Sequence, residues 1–146
     1  MLFRSVVALT AIAIGITAAM AQQDPIAARK ALMKNMGAQS GQGAKFMKGE
    51  EPFDLTKAKA IFAQYQEAAA KMPNLFPDNS KTGGETAALP PVWEKKADFD
   101  AKFVKFGADA KDAAAKVKDE ASFKEAFPVV QKNCGGCHET YRMKKT

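Results

Sequence analysis

Apolar residues recur at intervals of three and four in four stretches of this chain, the period of helices that bury one face. The last stretch is the clearest. Phe123, Phe127, Val130, Cys134, Cys137 and Tyr141 follow one another at steps of 4, 3, 4, 3 and 4, which is the stripe of a bundle helix. Pro128 lies inside it. Proline in a helix interior costs about 3 kcal/mol, so the pattern predicts a kink there or a helix that starts later. Upstream, Phe99, Phe103, Phe106, Ala110, Ala113 and Val117 mark the buried side of a segment from about Trp93 to Lys118. Leu55, Ala58, Phe62, Tyr65 and Ala69 form the stripe of another, opened by Asp54 as N-cap and closed near Met72-Pro73. The first segment opens at Asp24-Pro25, an N-cap followed by proline at the first helical position. Ile26, Arg29, Met33, Met36 and Ser40 share its face, and the glycine-containing stretch from Gly37 to Gly43 predicts its end.

No stretch alternates as a strand would, and no internal repeat is visible. Between the second and third segments lie roughly twenty residues punctuated by Pro73, Pro77, Gly83, Gly84, Pro90 and Pro91. A loop of that length is uncommon inside a domain and is expected to cross an end of the structure or cover something. Four amphipathic helices predict an all-α, antiparallel four-helix bundle.

Ahead of the first segment, Arg4 precedes an apolar run from Val6 to Met20, and Ala19-Met20-Ala21 places small residues where a signal peptidase reads. This is a secretory signal peptide pattern. The run is shorter than the ~20 apolar residues of a spanning helix and ends in Gln22-Gln23-Asp24 without a basic cluster. Residues 1–21 are therefore expected to be removed, leaving residues 22–146 as one domain with no stable membrane anchor. Loss of Arg4 lowers the formal net charge from +6 to +5. The charge is dispersed, without the basic-aromatic interleaving of a nucleic-acid surface, and no nucleic-acid partner is expected.

The cysteines change the picture most. The chain has 2, Cys134 and Cys137, and 1 histidine, His138. Together they form Cys134-Gly135-Gly136-Cys137-His138, a C-x-x-C-H sequence, read as covalent attachment of a c-type haem. Two thiols add to the two haem vinyl groups, and the adjacent histidine presents its imidazole to the iron. On a helix, positions i, i+3 and i+4 share a face. Gly135 and Gly136 are expected to keep bulk away from the ring edge. Zinc would require about four ligands, a thioredoxin-like pair a strand–helix setting, and a disulfide over so short a loop would stabilise little and leave His138 unexplained. One covalent haem with its iron is the expected cofactor.

An attachment site in the last helix resembles the class II c-type cytochromes, the cytochrome c-prime family of four-helix bundles. Arg29-x-x-x-Met33-x-x-Met36, Trp93 with Phe99, and Cys134 to His138 followed by Tyr141-Arg142 carry the resemblance. It implies a haem inside the bundle with the proximal His138 near the surface. It also implies two possible states. Many members hold an apolar residue over the distal face and bind nitric oxide or carbon monoxide at a five-coordinate iron. A low-spin group places a methionine there, and counting from the first-helix arginine that position is Met33. The expected metal ligands are thus His138 and Met33. Met36 is the second choice, and Met143 is badly placed on the helix after His138. An ordinary core role for Met33 is the simpler alternative.

Apart from Arg4, the only arginines among 22 basic residues are Arg29 and Arg142, one turn before Met33 and one turn after His138. A guanidinium suits carboxylates such as haem propionates better than lysine does. Both are candidate cofactor contacts, against the reading as surface charges. No catalytic constellation is present, so an enzyme is not expected. The expected function is periplasmic electron transfer with unidentified redox partner proteins, by a monomer or homodimer. A gas-binding haem protein and a haem-free interaction module are the alternatives. If the export reading holds, mass spectrometry of the native, haem-loaded protein finds Gln22 first, and an intact Met1 overturns it.

Overall fold

The computed structural model describes residues 24–144; the expected signal segment, residues 1–21, lies outside them. The elements are α1 (Pro25–Lys48), α2 (Leu55–Lys71), a one-turn α3 (Pro91–Glu94), α4 (Lys96–Lys116) and α5 (Glu120–Tyr141), with 3-10 turns at Met72–Leu75 and Asp78–Ser80. No strand forms among the described residues.

Each long helix is a neighbour of the next, and side-chain pairs give the directions. Asp109 and Asn133, then Asp98 and Tyr141, pair α4 with α5 in opposite senses. Ser40 meets Gln131 while the later Gly43 meets the earlier Phe127, so α1 and α5 are also antiparallel. The short turns after α1 and α4 complete an up-down-up-down bundle, as the periodicity predicts.

Three local expectations are corrected. α1 does not end in the glycine stretch. It runs to Lys48 and stops at Gly49, whose φ of 70° is the left-handed cap that glycine adopts at least cost. Each internal glycine weakens the helix by about 1 kcal/mol relative to alanine, but Phe46, beyond them, is 1% exposed, and burial of a phenylalanine is worth about 1.5–3 kcal/mol. α5 begins at Glu120 and continues through Pro128. Its capping box, Asp119 with Ser122, anchors the start. Pro128 lies on the exposed side, as does Lys124, whose carbonyl loses its helical partner there. The third segment is divided at Lys95, between α3 and α4.

The core has an aromatic cluster at each end. Phe46, Phe53, Phe62, Phe123 and Phe127 interlock at one, with Phe123 stacked on Phe127 at 5.0 Å between centroids. Phe76, Trp93, Phe99, Phe103 and Tyr141 interlock at the other, with Phe76 and Phe99 edge to face at 4.8 Å. The long segment between α2 and α4 crosses the second end. Its last residues pair with the chain after α5: Ala88 bridges Arg142, Leu89 N–H donates to the Tyr141 carbonyl, and Met143 N–H donates to the Ala87 carbonyl.

At Gly43, α1 packs directly against a side chain of α5. A Cβ there would stand 2.3 Å from the buried Phe127 ring, whereas at Gly41 it would meet nothing within 4 Å. Gly43→Ala is expected to lower stability by about 1–3 kcal/mol through overpacking, and Gly41→Ala to raise it by about 0.5–1 kcal/mol through helix propensity. Thermal melts of the two variants, read at the far-UV helical band, check the opposite signs.

Candidate functional site

Between the two aromatic ends lies a cavity of about 700 Å³. Its lining is mostly apolar and comes from all four long helices and the crossing segment. On α5, Cys134, Cys137 and His138 all face it, as their i, i+3, i+4 spacing requires. Both sulfurs are about half-buried, and burial pushes the thiol pKa values up. The His138 imidazole is pushed down, first by burial and then by the positive charge of Arg142. It is therefore neutral at pH 7, the form in which imidazole nitrogen binds a metal. Gly135 and Gly136 do not press on anything. They are exposed, and a Cβ at either would meet no atom within 4 Å. Neither is among the residues that line the cavity.

Met33 and Met36 on α1 both line the same cavity. Both are half-buried and packed against the core. Met72 is fully buried away from it, and Met47 is half-buried near the end of α1. Met143 is not on a helix at all: α5 ends at Tyr141, and Met143 is exposed.

The two arginines have different surroundings. Arg29 is 4% exposed and is no surface charge. Its Nη1 donates to the Leu75 carbonyl at 3.0 Å and to Ser80 Oγ at 2.8 Å; its Nη2 donates to the Ser80 carbonyl at 2.8 Å and to Thr86 Oγ1 at 2.6 Å. The guanidinium lies 4.7 Å above the Phe76 ring. Four of its five N–H groups thus bind the crossing segment, leaving Nε–H for any haem carboxylate. The sequence carried no signal for this clamp, because Arg29 and Ser80 are 51 residues apart. Arg142 lines the cavity, but from an extended residue past the helix end rather than one turn along α5.

A polar group missed by pattern reasoning spans three helices at the cavity wall. Tyr65 Oη, on α2, is 2.8 Å from Ser40 Oγ and accepts from Gln131 Nε2 at 2.8 Å. Gln131 Oε1 accepts from the Cys134 thiol at 3.4 Å. Tyr141, one turn beyond His138, donates its hydroxyl to Asp98 of α4.

A flat, largely apolar cofactor with two vinyl groups and one metal fits this donor set. Two thiols and one imidazole project from a single helical face into a cavity walled by Phe103, Phe106 and two methionines. Site and fold together define a haem-binding four-helix bundle of the c type. The profile of the family described as Cytochrome C' matches residues 24–142. Cytochrome c' of Rhodopseudomonas palustris is 46% identical over 128 residues, covering 88% of each chain. Cytochrome c-556 of Agrobacterium fabrum is 40% identical over 118 residues, 80% of each. A solved structure of cytochrome c' from Rhodopseudomonas palustris superposes with a TM-score of 0.83, covering 86% of this chain and all (100%) of that one. The chain belongs to the cytochrome c' family, whose members carry one covalent c-type haem.

Both tyrosines are held protonated beyond their ordinary range. Tyr141 is pushed up to about 12 by burial and, after that, by the Asp98 carboxylate. Tyr65 is raised by burial, which outweighs its bonds to Ser40 and Gln131. The folded state keeps the Tyr141 proton while the unfolded chain loses it near pH 10, so this group's stabilisation is present below pH 10 and is lost as pH rises towards 12. Spectrophotometric titration near 295 nm should show no phenolate step at pH 10 in the folded protein. Tyr141→Phe should lose less stability than the unmutated protein between pH 10 and 12, and an ordinary phenolate step would contradict the assignment.

Proposed function

We propose that this protein is a periplasmic electron carrier whose haem iron is held between His138 and Met33. The observation that carries the reading is the presence of α1 methionines on the lining of the cavity that His138 enters from α5. Thioether opposite imidazole is the usual pairing of an electron-transfer haem. Met33 stands one turn beyond the fixed Arg29, and α1 is held at that end by the Arg29 clamp, which suits an axial ligand. Met36 lines the cavity one turn further on and is the alternative sulfur.

The haem, when bound, supplies the one-electron iron(III)/iron(II) couple. The rest belongs to the chain. Cys134 and Cys137 tether the group from one helical face, and His138 supplies a neutral imidazole beside them. Phe103, Phe106 and the crossing segment exclude water. Nε–H of Arg29 and the guanidinium of Arg142 are available to haem carboxylates, and the Arg142 charge favours the more reduced centre. Neither cysteine nor the single histidine remains free to act as nucleophile or general base, so the reading includes no enzymatic turnover. It includes export, on the strength of the N-terminal pattern. Among the described residues no helix is long and apolar enough to cross a membrane.

Absorption spectra with and without carbon monoxide test the ligation. The unmutated protein is expected to be low-spin and to refuse carbon monoxide at neutral pH. Met33→Leu keeps the volume but removes the sulfur, and should become high-spin, bind carbon monoxide and fall in reduction potential. Met36→Leu should remain low-spin. The reverse pattern assigns the ligand to Met36. A high-spin unmutated protein replaces the carrier by a gas-binding haem protein.

A further inference from the structure

The cavity lining carries Arg29, Lys30, Lys34, Lys102 and Arg142, and no aspartate or glutamate. The chain as a whole has 22 basic and 16 acidic side chains, so this exclusion of acids is local. The carboxylates that touch lining residues are each held by a partner. Glu85 pairs with Lys30, Asp98 accepts from Tyr141, and Asp109 is bound by Lys105 and Asn133. Arg29 is buried and directed into the crossing segment. Lys34, Lys102 and Arg142 remain, from α1, α4 and the chain after α5, and none has a carboxylate partner among the described residues. Other lysines of the chain do pair with carboxylates along their own helices, as Lys71, Lys96 and Lys124 do.

These three cations thus come from three separate elements onto the lining of one cavity. Ala31, Gly37 and Ala87, small and exposed, line the same cavity. Two haem carboxylates would offset only part of the basic charge.

We infer that this basic rim is the docking face for an acidic electron-transfer protein, which approaches the cavity between α1, α4 and the chain after α5. The inference rests on the carrier reading. Complementary charge acts mainly on the encounter rate and orientation, and its effect weakens with salt. In the transfer itself one electron leaves the ferrous centre for the partner's oxidised centre, and no bond or proton moves.

The test uses the ferrous holoprotein in stopped flow with two oxidants of opposite charge, hexacyanoferrate(III) and tris(phenanthroline)cobalt(III). Each takes one electron and is reduced to its iron(II) or cobalt(II) form. The double variant Lys34→Glu/Lys102→Glu is compared with Lys57→Glu/Lys116→Glu, which changes the net charge equally at exposed positions off the cavity lining. At low ionic strength the rim variant should react roughly tenfold more slowly with the anion and faster with the cation, with the salt dependence reversed in sign. The control should stay within about twofold of the unmutated protein. Poly-L-glutamate should inhibit oxidation of the unmutated protein but not of the rim variant. If the glutamate pair does not fold, Lys34→Gln/Lys102→Gln should show the same direction with a smaller change. Equal responses of rim and control variants would mean that net charge alone acts, and would overturn the docking face. The carrier reading is judged separately, by the spin state of the unmutated protein.

Discussion

A flat group inside a four-helix bundle requires two helices to stand apart over part of their length while the rest of the bundle holds them in register. Close packing normally opposes such a gap, because an empty apolar cavity forfeits contacts on every side. Here the cavity is bounded at both ends. The cluster around Phe46, Phe123 and Phe127 locks α1 to α5 at one end, with Gly43 leaving room for the Phe127 ring. The cluster around Phe76, Phe99 and Tyr141 closes the other. The cavity with Cys134, Cys137 and His138 lies between them. A covalently held cofactor fills that volume and restores the missing contacts, so attachment and stability are two aspects of one packing problem.

The second end depends on a loop, and loops rarely hold a site rigid by themselves. This one is tied at two places to different helices. Arg29 of α1 binds three of its residues through four N–H groups. The chain after α5 pairs with Ala87, Ala88 and Leu89. Burying a guanidinium is expensive unless its hydrogen bonds are satisfied, and here the backbone carbonyls and hydroxyls of the loop satisfy them. The outcome is that the helix bearing Met33 and the helix bearing His138 are joined through one segment across the mouth of the site.

The polar groups buried in the cavity wall are paired. Tyr65, Ser40 and Gln131 satisfy one another, and Tyr141 is satisfied by Asp98. No buried side-chain nitrogen or oxygen among the described residues lacks a partner. Of the lining cations without a carboxylate partner, Arg29 is buried and bound to the crossing segment, whereas Lys34 and Arg142 are exposed and Lys102 is half-buried.

The chain's own pattern was sufficient for the four helices, for the face each buries, and for the attachment chemistry, because these depend on spacing within a single helix. Cys134, Cys137 and His138 share a face by helical geometry alone, and no tertiary contact is needed to bring them together. The end of α1 was misplaced because a local preference, the glycines from Gly37 to Gly43, is outweighed by the burial of Phe46 against two other parts of the chain. Arg29 stood out by its rarity among lysines, yet its partners, Leu75, Ser80 and Thr86, are separated from it by 46 to 57 residues. The same holds for Tyr65 with Gln131, 66 residues apart, and for the convergence of three cations at one cavity. Such contacts exist only once four helices have packed, since spacing along one helix says which side chains share a face and nothing about what that face will meet.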